Sequence, residues 1–141
     1  MSNVNAEGES VHLPAGMWEA IVAHARQEYP RECCGIISGK DGRLEKLHAL
    51  RNIAEGNVFY EIDPQQLMQL EFGELEQSGA EIVAIYHSHP ESQAYPSATD
   101  LDLAYWPEAV YLICSLENKS EPGIRGFRMR DGVISEVQLL Q

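Results

Sequence analysis

Hydrophobic spacing, together with residues that typically begin and end helices, predicts three helices in this 141-residue chain. In residues 15–29 the spacing i, i+3, i+4, i+7 predicts an amphipathic helix, carried by Trp18, Ile21, Val22, Ala25 and Tyr29. Pro30 ends that helix. A second helix is predicted over residues 63–79, because an Asp-Pro pair suits the N-cap and first helical positions and a Gly suits the end. A third, short helix is predicted over residues 97–106, which Pro107 ends.

Short apolar runs between these helices predict strands, at residues 33–38, 43–50, 58–62, 81–87, 109–116, 124–130 and 133–139. Asp-Gly pairs at residues 41–42 and 131–132 are signals for hairpin turns. The order α-β-β-β-α-β-α-β-β-β predicts one α/β (α+β) domain with a mixed β-sheet flanked by helices. We expect this domain to cover residues 12–141, preceded by a flexible tail at residues 1–11.

The charge balance narrows the range of partners. The chain has 10 basic and 22 acidic residues, for a net charge of −12. Because nucleic-acid binding draws on a basic face, partners of that class and anionic membrane surfaces are disfavoured. The sequence has no apolar run of the ~20 residues that a membrane span needs and no signal-peptide pattern. Three cysteines do not form a disulfide framework, so we expect a cytoplasmic protein.

The residues that suggest chemistry follow the predicted strand over 81–87. His87 and His89 flank Ser88, and because side chains alternate along a strand, both imidazoles point the same way, about 6.5–7 Å apart at their attachment points. Ser88 then faces the opposite side, where a structural role is expected. Two imidazoles placed in this way can bind one metal ion. Asp100 lies near the start of the next predicted helix, from which its carboxylate could reach the same ion. Two histidines and one carboxylate leave a fourth position for water, which is typical of a catalytic zinc site.

Each part of this pattern also has a plainer explanation. A His-x-His pair can be two polar residues at a sheet edge, and Ser97 with Asp100 forms a capping box for the helix that follows. Capping and metal binding are compatible, since a helix N-terminus holds a carboxylate rigidly. The ligand types alone would also suit iron, cobalt or nickel. Cys33 and Cys34 are expected to pack in the core.

The joint spacing resembles that of a known family. Ten residues separate His89 from Asp100, Ser97 follows His89 by eight positions, and the upstream segment Pro-Arg-Glu-Cys-Cys-Gly-Ile-Ile at residues 30–37 contains Glu32. This pattern is similar to the signature of the JAB1/MPN/Mov34 (JAMM) metalloproteases, in their compact prokaryotic form. The resemblance covers about residues 12–139 and implies an MPN/JAB-like fold.

The resemblance also implies roles for five residues. His87, His89 and Asp100 would bind one Zn²⁺ per chain. Glu32 would take a proton from the attacking water and pass it to the leaving amine. Ser97 would donate a hydrogen bond to the oxyanion of the tetrahedral intermediate.

Members of this family cleave peptide or isopeptide bonds at the C-terminus of ubiquitin or ubiquitin-like proteins. A compact chain without insertions resembles the hydrolases of ubiquitin-like sulfur-carrier proteins, which would make such a carrier the substrate and partner. Two alternatives remain: a non-catalytic MPN-type scaffold or binding module, and a metal-dependent hydrolase of small peptides. Tyr95, in the loop after His89, is a candidate for substrate contact, and a homodimer is possible through a sheet edge or the first helix.

Overall fold

The computed structural model describes residues 8–141. Its strands are β1 Ser10–His12, β2 Cys34–Gly39, β3 Lys46–Leu50, β4 Glu81–His89, β5 Val110–Ser115, β6 Gly123–Arg130 and β7 Val133–Leu140. Its helices are α1 Ala15–Glu28, α2 Pro64–Gln69, α3 Glu76–Ser78 and α4 Ala98–Asp102, with a π-helical turn at Leu70–Leu75 joining α2 to α3.

The seven strands form one mixed sheet in the order β1-β7-β6-β5-β4-β2-β3. The two parallel pairs are β4 with β5 in the middle and β1 with β7 at one edge; the other pairs are antiparallel. Both β2 and β5 are buried along their whole length, which accounts for their uninterrupted apolar runs. The predicted fold class is confirmed.

Helices cover both faces of the sheet. On one face, α1 buries Ile21, Val22 and Ala25 in the larger core. On the other face, the π-helical turn buries Leu70 and Leu75 in a second core. The sheet is therefore enclosed as the sequence order predicts, with β4 in the interior.

The structure differs from the predicted elements at several points. α4 ends at Asp102 rather than at residue 106, so Pro107 does not end it. The helix predicted over residues 63–79 is interrupted by the π-helical turn at Leu70–Leu75.

The predicted tail over residues 1–11 overlaps β1, which pairs in parallel with β7; residues 1–7 of that tail lie outside the described residues. A strand of 3 residues is too short to show a period in the sequence. Residues 58–62 do not form a strand: Ile62 makes only an isolated bridge, to Asn52, and the Glu61 N–H donates to the Asn52 side chain rather than to a neighbouring strand.

Gly35 on β2 allows a close approach of β2 to a large aromatic ring. A Cβ atom at this position would lie 2.3 Å from a ring carbon of Tyr86. Tyr86 is fully buried, and its hydroxyl is hydrogen-bonded to His24 Nδ1 at 2.8 Å. The ring therefore has little freedom to move away from an added methyl group.

We predict that Gly35→Ala lowers the free energy of unfolding by about 1–3 kcal/mol, because it overpacks the core. The matched control is Gly16→Ala in α1, where an added Cβ meets nothing within 4 Å and should be neutral or stabilising by up to about 1 kcal/mol. Urea unfolding of both variants measures the difference. If Gly35→Ala and the wild type have equal free energies of unfolding, Tyr86 is not held against β2.

Candidate metal centre

The end of β4 brings two imidazoles and a carboxylate together. His87 and His89 project from the same side of the strand, and Asp100 reaches them from the first turn of α4. His87 Nε2 lies 3.2 Å from Asp100 Oδ1, and His89 Nε2 lies 3.0 Å from Asp100 Oδ2. The two imidazole Nε2 atoms are 3.3 Å apart. All three residues are buried.

These separations fit a metal ion. A tetrahedral zinc ion with bonds of about 2.0–2.1 Å holds neighbouring ligand atoms about 3.3 Å apart. One atom from each of His87, His89 and Asp100 is available to the same ion. The donor set is also chemically suitable, since imidazole and carboxylate both bind zinc. The three side chains could therefore hold one ion.

Hydrogen bonds outside this group fix two of the three side chains. His89 Nδ1 donates to the Gln93 carbonyl at 2.8 Å, which leaves its Nε2 facing Asp100. The Ser97 backbone N–H donates to Asp100 Oδ2 at 2.9 Å. His87 Nδ1 is buried without a hydrogen-bond partner, and its ring is instead stacked on Tyr60 with 4.4 Å between centroids. Partners of this kind orient metal ligands and set the histidine tautomer.

The protonation states of Asp100 and His87 suit a metal, whereas in His89 burial lowers the pKa but hydrogen bonds with Asp100 and Gln93 outweigh it and raise the pKa. Burial opposes ionisation of Asp100, but hydrogen bonds from His87 and His89 outweigh it and hold its pKa below the usual range. Burial lowers the pKa of His87. An ionised carboxylate and a neutral imidazole are the forms in which these residues bind metals.

Glu32 lies beside the three ligands, in the segment between α1 and β2. It is 3% exposed, and its Oε1 atom has no hydrogen-bond partner. Burial raises its pKa to about 8; the nearby His89 opposes this shift and Asp100 adds to it. Glu32, His89 and Ser97 line one cavity of about 320 Å³. The side chain thus has the proximity and the basicity of a proton carrier.

Ser97 caps α4, as the sequence predicts. Its Oγ accepts a hydrogen bond from the Asp100 N–H at 3.1 Å, and the Asp100 carboxylate in turn accepts one from the Ser97 N–H. Since the Oγ acts as acceptor in the cap, its own hydrogen remains free to be donated. The side chain is exposed at the cavity that Glu32 and His89 also line.

The neighbouring residues behave as structural groups. Ser88 points away from the ligands, and its Oγ accepts a hydrogen bond from the Cys33 N–H at 2.8 Å. Cys33 and Cys34 are buried free thiols, and burial raises the pKa of Cys34 to about 12. Thiols of such low acidity are poor nucleophiles, which agrees with the packing role predicted for them.

The sequence does not reveal every residue around the centre. Tyr60 falls within the wrongly predicted strand, and the Gln93 carbonyl carries no side-chain signal. Tyr95, expected to contact substrate, packs edge to face on Phe127 with 5.4 Å between centroids, and 42% of its surface is exposed. That packing holds the loop between His89 and Ser97 against the sheet.

Similarity to known proteins assigns the family. The sequence profile of the prokaryotic homologues of the JAB domain matches residues 14–130. The chain belongs to this family. It is 35% identical over 126 residues to the CysO-cysteine peptidase of Mycobacterium tuberculosis, covering 88% of this chain and 86% of the relative. It is 40% identical over 114 residues to the desampylase of Haloferax volcanii, covering 76% and 81%.

Solved structures agree with this assignment. A protein of Desulfitobacterium hafniense with a solution structure superimposes with a TM-score of 0.82 at 30% identity, covering 92% of this chain and 91% of that one. A JAB1/MPN domain protein of Archaeoglobus fulgidus, 18% identical, shares the fold with a TM-score of 0.60 and coverage of 94% and 99%. The predicted family and MPN/JAB-like fold are confirmed. Among residues 8–141, no helix is long and apolar enough to span a membrane.

We predict that Asp100→Ala removes the bound metal. Loss of an outer hydrogen-bond partner alone costs about 10–100-fold in metal affinity, so loss of a ligand should cost more than roughly 100-fold. The control is Asp102→Ala, an exposed carboxylate on the same helix, which should bind like the wild type. Elemental analysis and competition with a chelator measure both variants. Full metal retention by Asp100→Ala would contradict the assignment of this ligand.

Proposed function

We propose that this protein is a zinc-dependent metallopeptidase that hydrolyses a peptide or isopeptide bond at the C-terminus of a ubiquitin-like sulfur-carrier protein. The observation that carries the proposal is the meeting of two imidazoles and a carboxylate, 3.0–3.3 Å apart, beside the buried Oε1 atom of Glu32, which has no hydrogen-bond partner. Scaffold proteins have no need of such an arrangement.

In this proposal, His87, His89 and Asp100 would hold Zn²⁺, which would supply a water of pKa ~7. Glu32 accepts the proton of the attacking water and then delivers it to the leaving amine. Burial raises the pKa of this carboxyl group to about 8, close enough to neutral pH for the group both to take up and to release a proton. Ser97 donates its free hydroxyl hydrogen to the carbonyl oxygen that gains negative charge.

The proposed substrate rests on the relatives. Two of them are named a CysO-cysteine peptidase and a desampylase. A third, from Thermus thermophilus, is named a probable TtuB-protein conjugate cleaving protease and is 32% identical over 126 residues, covering 89% of this chain and 80% of the relative. A cavity of about 320 Å³ beside the ligands suits a narrow C-terminal tail with small residues.

Related expectations complete the proposal. We expect one zinc ion per chain. A location in the reducing cytosol fits the three buried free cysteines, and a net charge of −12 fits a protein partner rather than a nucleic acid or an anionic membrane. A homodimer would use the free edge of β1 or β3, or the exposed side of α1, and sedimentation of the purified protein would detect it.

The test is cleavage of a carrier protein that carries one cysteine after its terminal Gly-Gly, followed by mass spectrometry. We expect zinc-loaded wild type to release the cysteine, and Glu32→Gln to lose about 10²–10⁴-fold in rate with its zinc retained, because the amide cannot accept the proton. Glu19→Gln, on the exposed side of α1, is the control and should match the wild type.

The same assay separates the alternative functions. A short peptide with the carrier's C-terminal sequence should be a much poorer substrate, and equal rates would favour a hydrolase of small peptides. Absence of cleavage by zinc-loaded wild type would favour the binding module. Full activity of Glu32→Gln would remove Glu32 from the mechanism.

A further inference from the structure

The backbone, rather than hydrogen bonds to its own carboxylate, sets the position of Glu32. Its Oε1 atom has no hydrogen-bond partner, and the residue lies outside regular secondary structure, between α1 and β2. Whatever holds the backbone at this point therefore determines how the carboxylate faces the metal ligands.

Two side chains hold this stretch of backbone. On one side, Ser88 Oγ accepts the Cys33 N–H at 2.8 Å and ties the segment to β4. On the other side, Asn52 Nδ2 donates to the Glu32 carbonyl at 2.9 Å. Asn52 is only 5% exposed, so water cannot readily replace this bond.

The other end of the Asn52 amide organises the loop at residues 53–62. Its Oδ1 accepts hydrogen bonds from the Ala54 N–H at 2.9 Å and the Glu61 N–H at 3.0 Å. The backbone carbonyl of Asn52 accepts a further hydrogen bond from Arg31 Nη2 at 2.9 Å. One buried side chain thus joins the Glu32 backbone to both ends of this loop.

The loop at residues 53–62 forms a wall of the metal centre. Tyr60 is stacked on His87, while Asn57 and Val58 line the cavity together with Glu32. Asn52 therefore contacts the segments that carry the proton carrier and the wall of the cleft, but it contacts none of the reacting atoms.

We propose that Asn52 is a positioning residue, which holds Glu32 and the loop at residues 53–62 in their working places relative to the metal ligands. The inference rests on the proposed peptidase function. Because Asn52 acts through Glu32, substitution of Asn52 should slow chiefly the chemical step and should leave the metal bound.

Two substitutions remove the hydrogen bonds of the Asn52 side chain in different combinations. Asn52→Asp keeps the shape and the oxygen that accepts from Ala54 and Glu61, but as a carboxylate it cannot donate to the Glu32 carbonyl. Asn52→Ala loses all three side-chain bonds. The matched control is Asn118→Asp, since Asn118 Oδ1 serves only the exposed turn that contains Ser120.

The experiment compares zinc content, steady-state cleavage of the carrier–cysteine substrate and hydrogen–deuterium exchange over residues 51–63. For Asn52→Asp we expect a fall in kcat of about 10–100-fold, with unchanged zinc and KM within about threefold. Exchange of the Ala54 and Glu61 amides should be slow in this variant and fast in Asn52→Ala. Asn52→Ala should also raise KM, because the wall of the cleft is released.

An Asn52→Asp variant with wild-type kcat, or with a loss confined to KM, would overturn the positioning role. If Asn52→Asp does not fold, the kcat of Asn52→Ala decides by the same criterion. If neither variant folds, or if both lose zinc, Asn52 is a general structural residue and the inference is rejected. A wild type that does not cleave the carrier contradicts the proposed function and this inference with it. An active wild type with an unaffected Asn52→Asp contradicts this inference alone.

Discussion

Burial of His87, His89 and Asp100 within one small space is the constraint on which the rest of the centre depends. Placing ionisable groups out of contact with water costs several kcal/mol unless each finds a partner. Here the partners are the three side chains themselves, at 3.0–3.3 Å, in an arrangement that could hold a metal ion. The surrounding bonds from Gln93 and Ser97 limit the geometries that remain.

The sheet makes this arrangement rigid. His87 and His89 belong to an interior strand whose neighbours β2 and β5 are buried throughout. The backbone that carries the two imidazoles is therefore held in place by the core. Glu32, by contrast, comes from an irregular segment, whose backbone is fixed by side chains from β4 and from Asn52. Two imidazoles on a rigid strand and a separately positioned carboxylate suit the proposed centre, which would hold a metal and also move a proton.

Local patterns explain what could be predicted from the sequence. Strand alternation aligned the two histidines, and the capping box placed Asp100 at a helix start; both depend on neighbours within a few residues. Glu32 became a candidate only through resemblance, because its distance from β4 in sequence gives no periodic signal. Tyr60 and Asn52 act through contacts across 20 or more positions, which neither spacing nor composition reveals.

X-ray absorption at the zinc edge of the loaded wild type tests the central claim most directly. Two imidazoles with oxygen ligands, all at about 2.0–2.1 Å, would agree with an ion held by His87, His89 and Asp100. A sulfur neighbour at about 2.3 Å would mean that a cysteine binds the metal, and it would contradict this account of the centre.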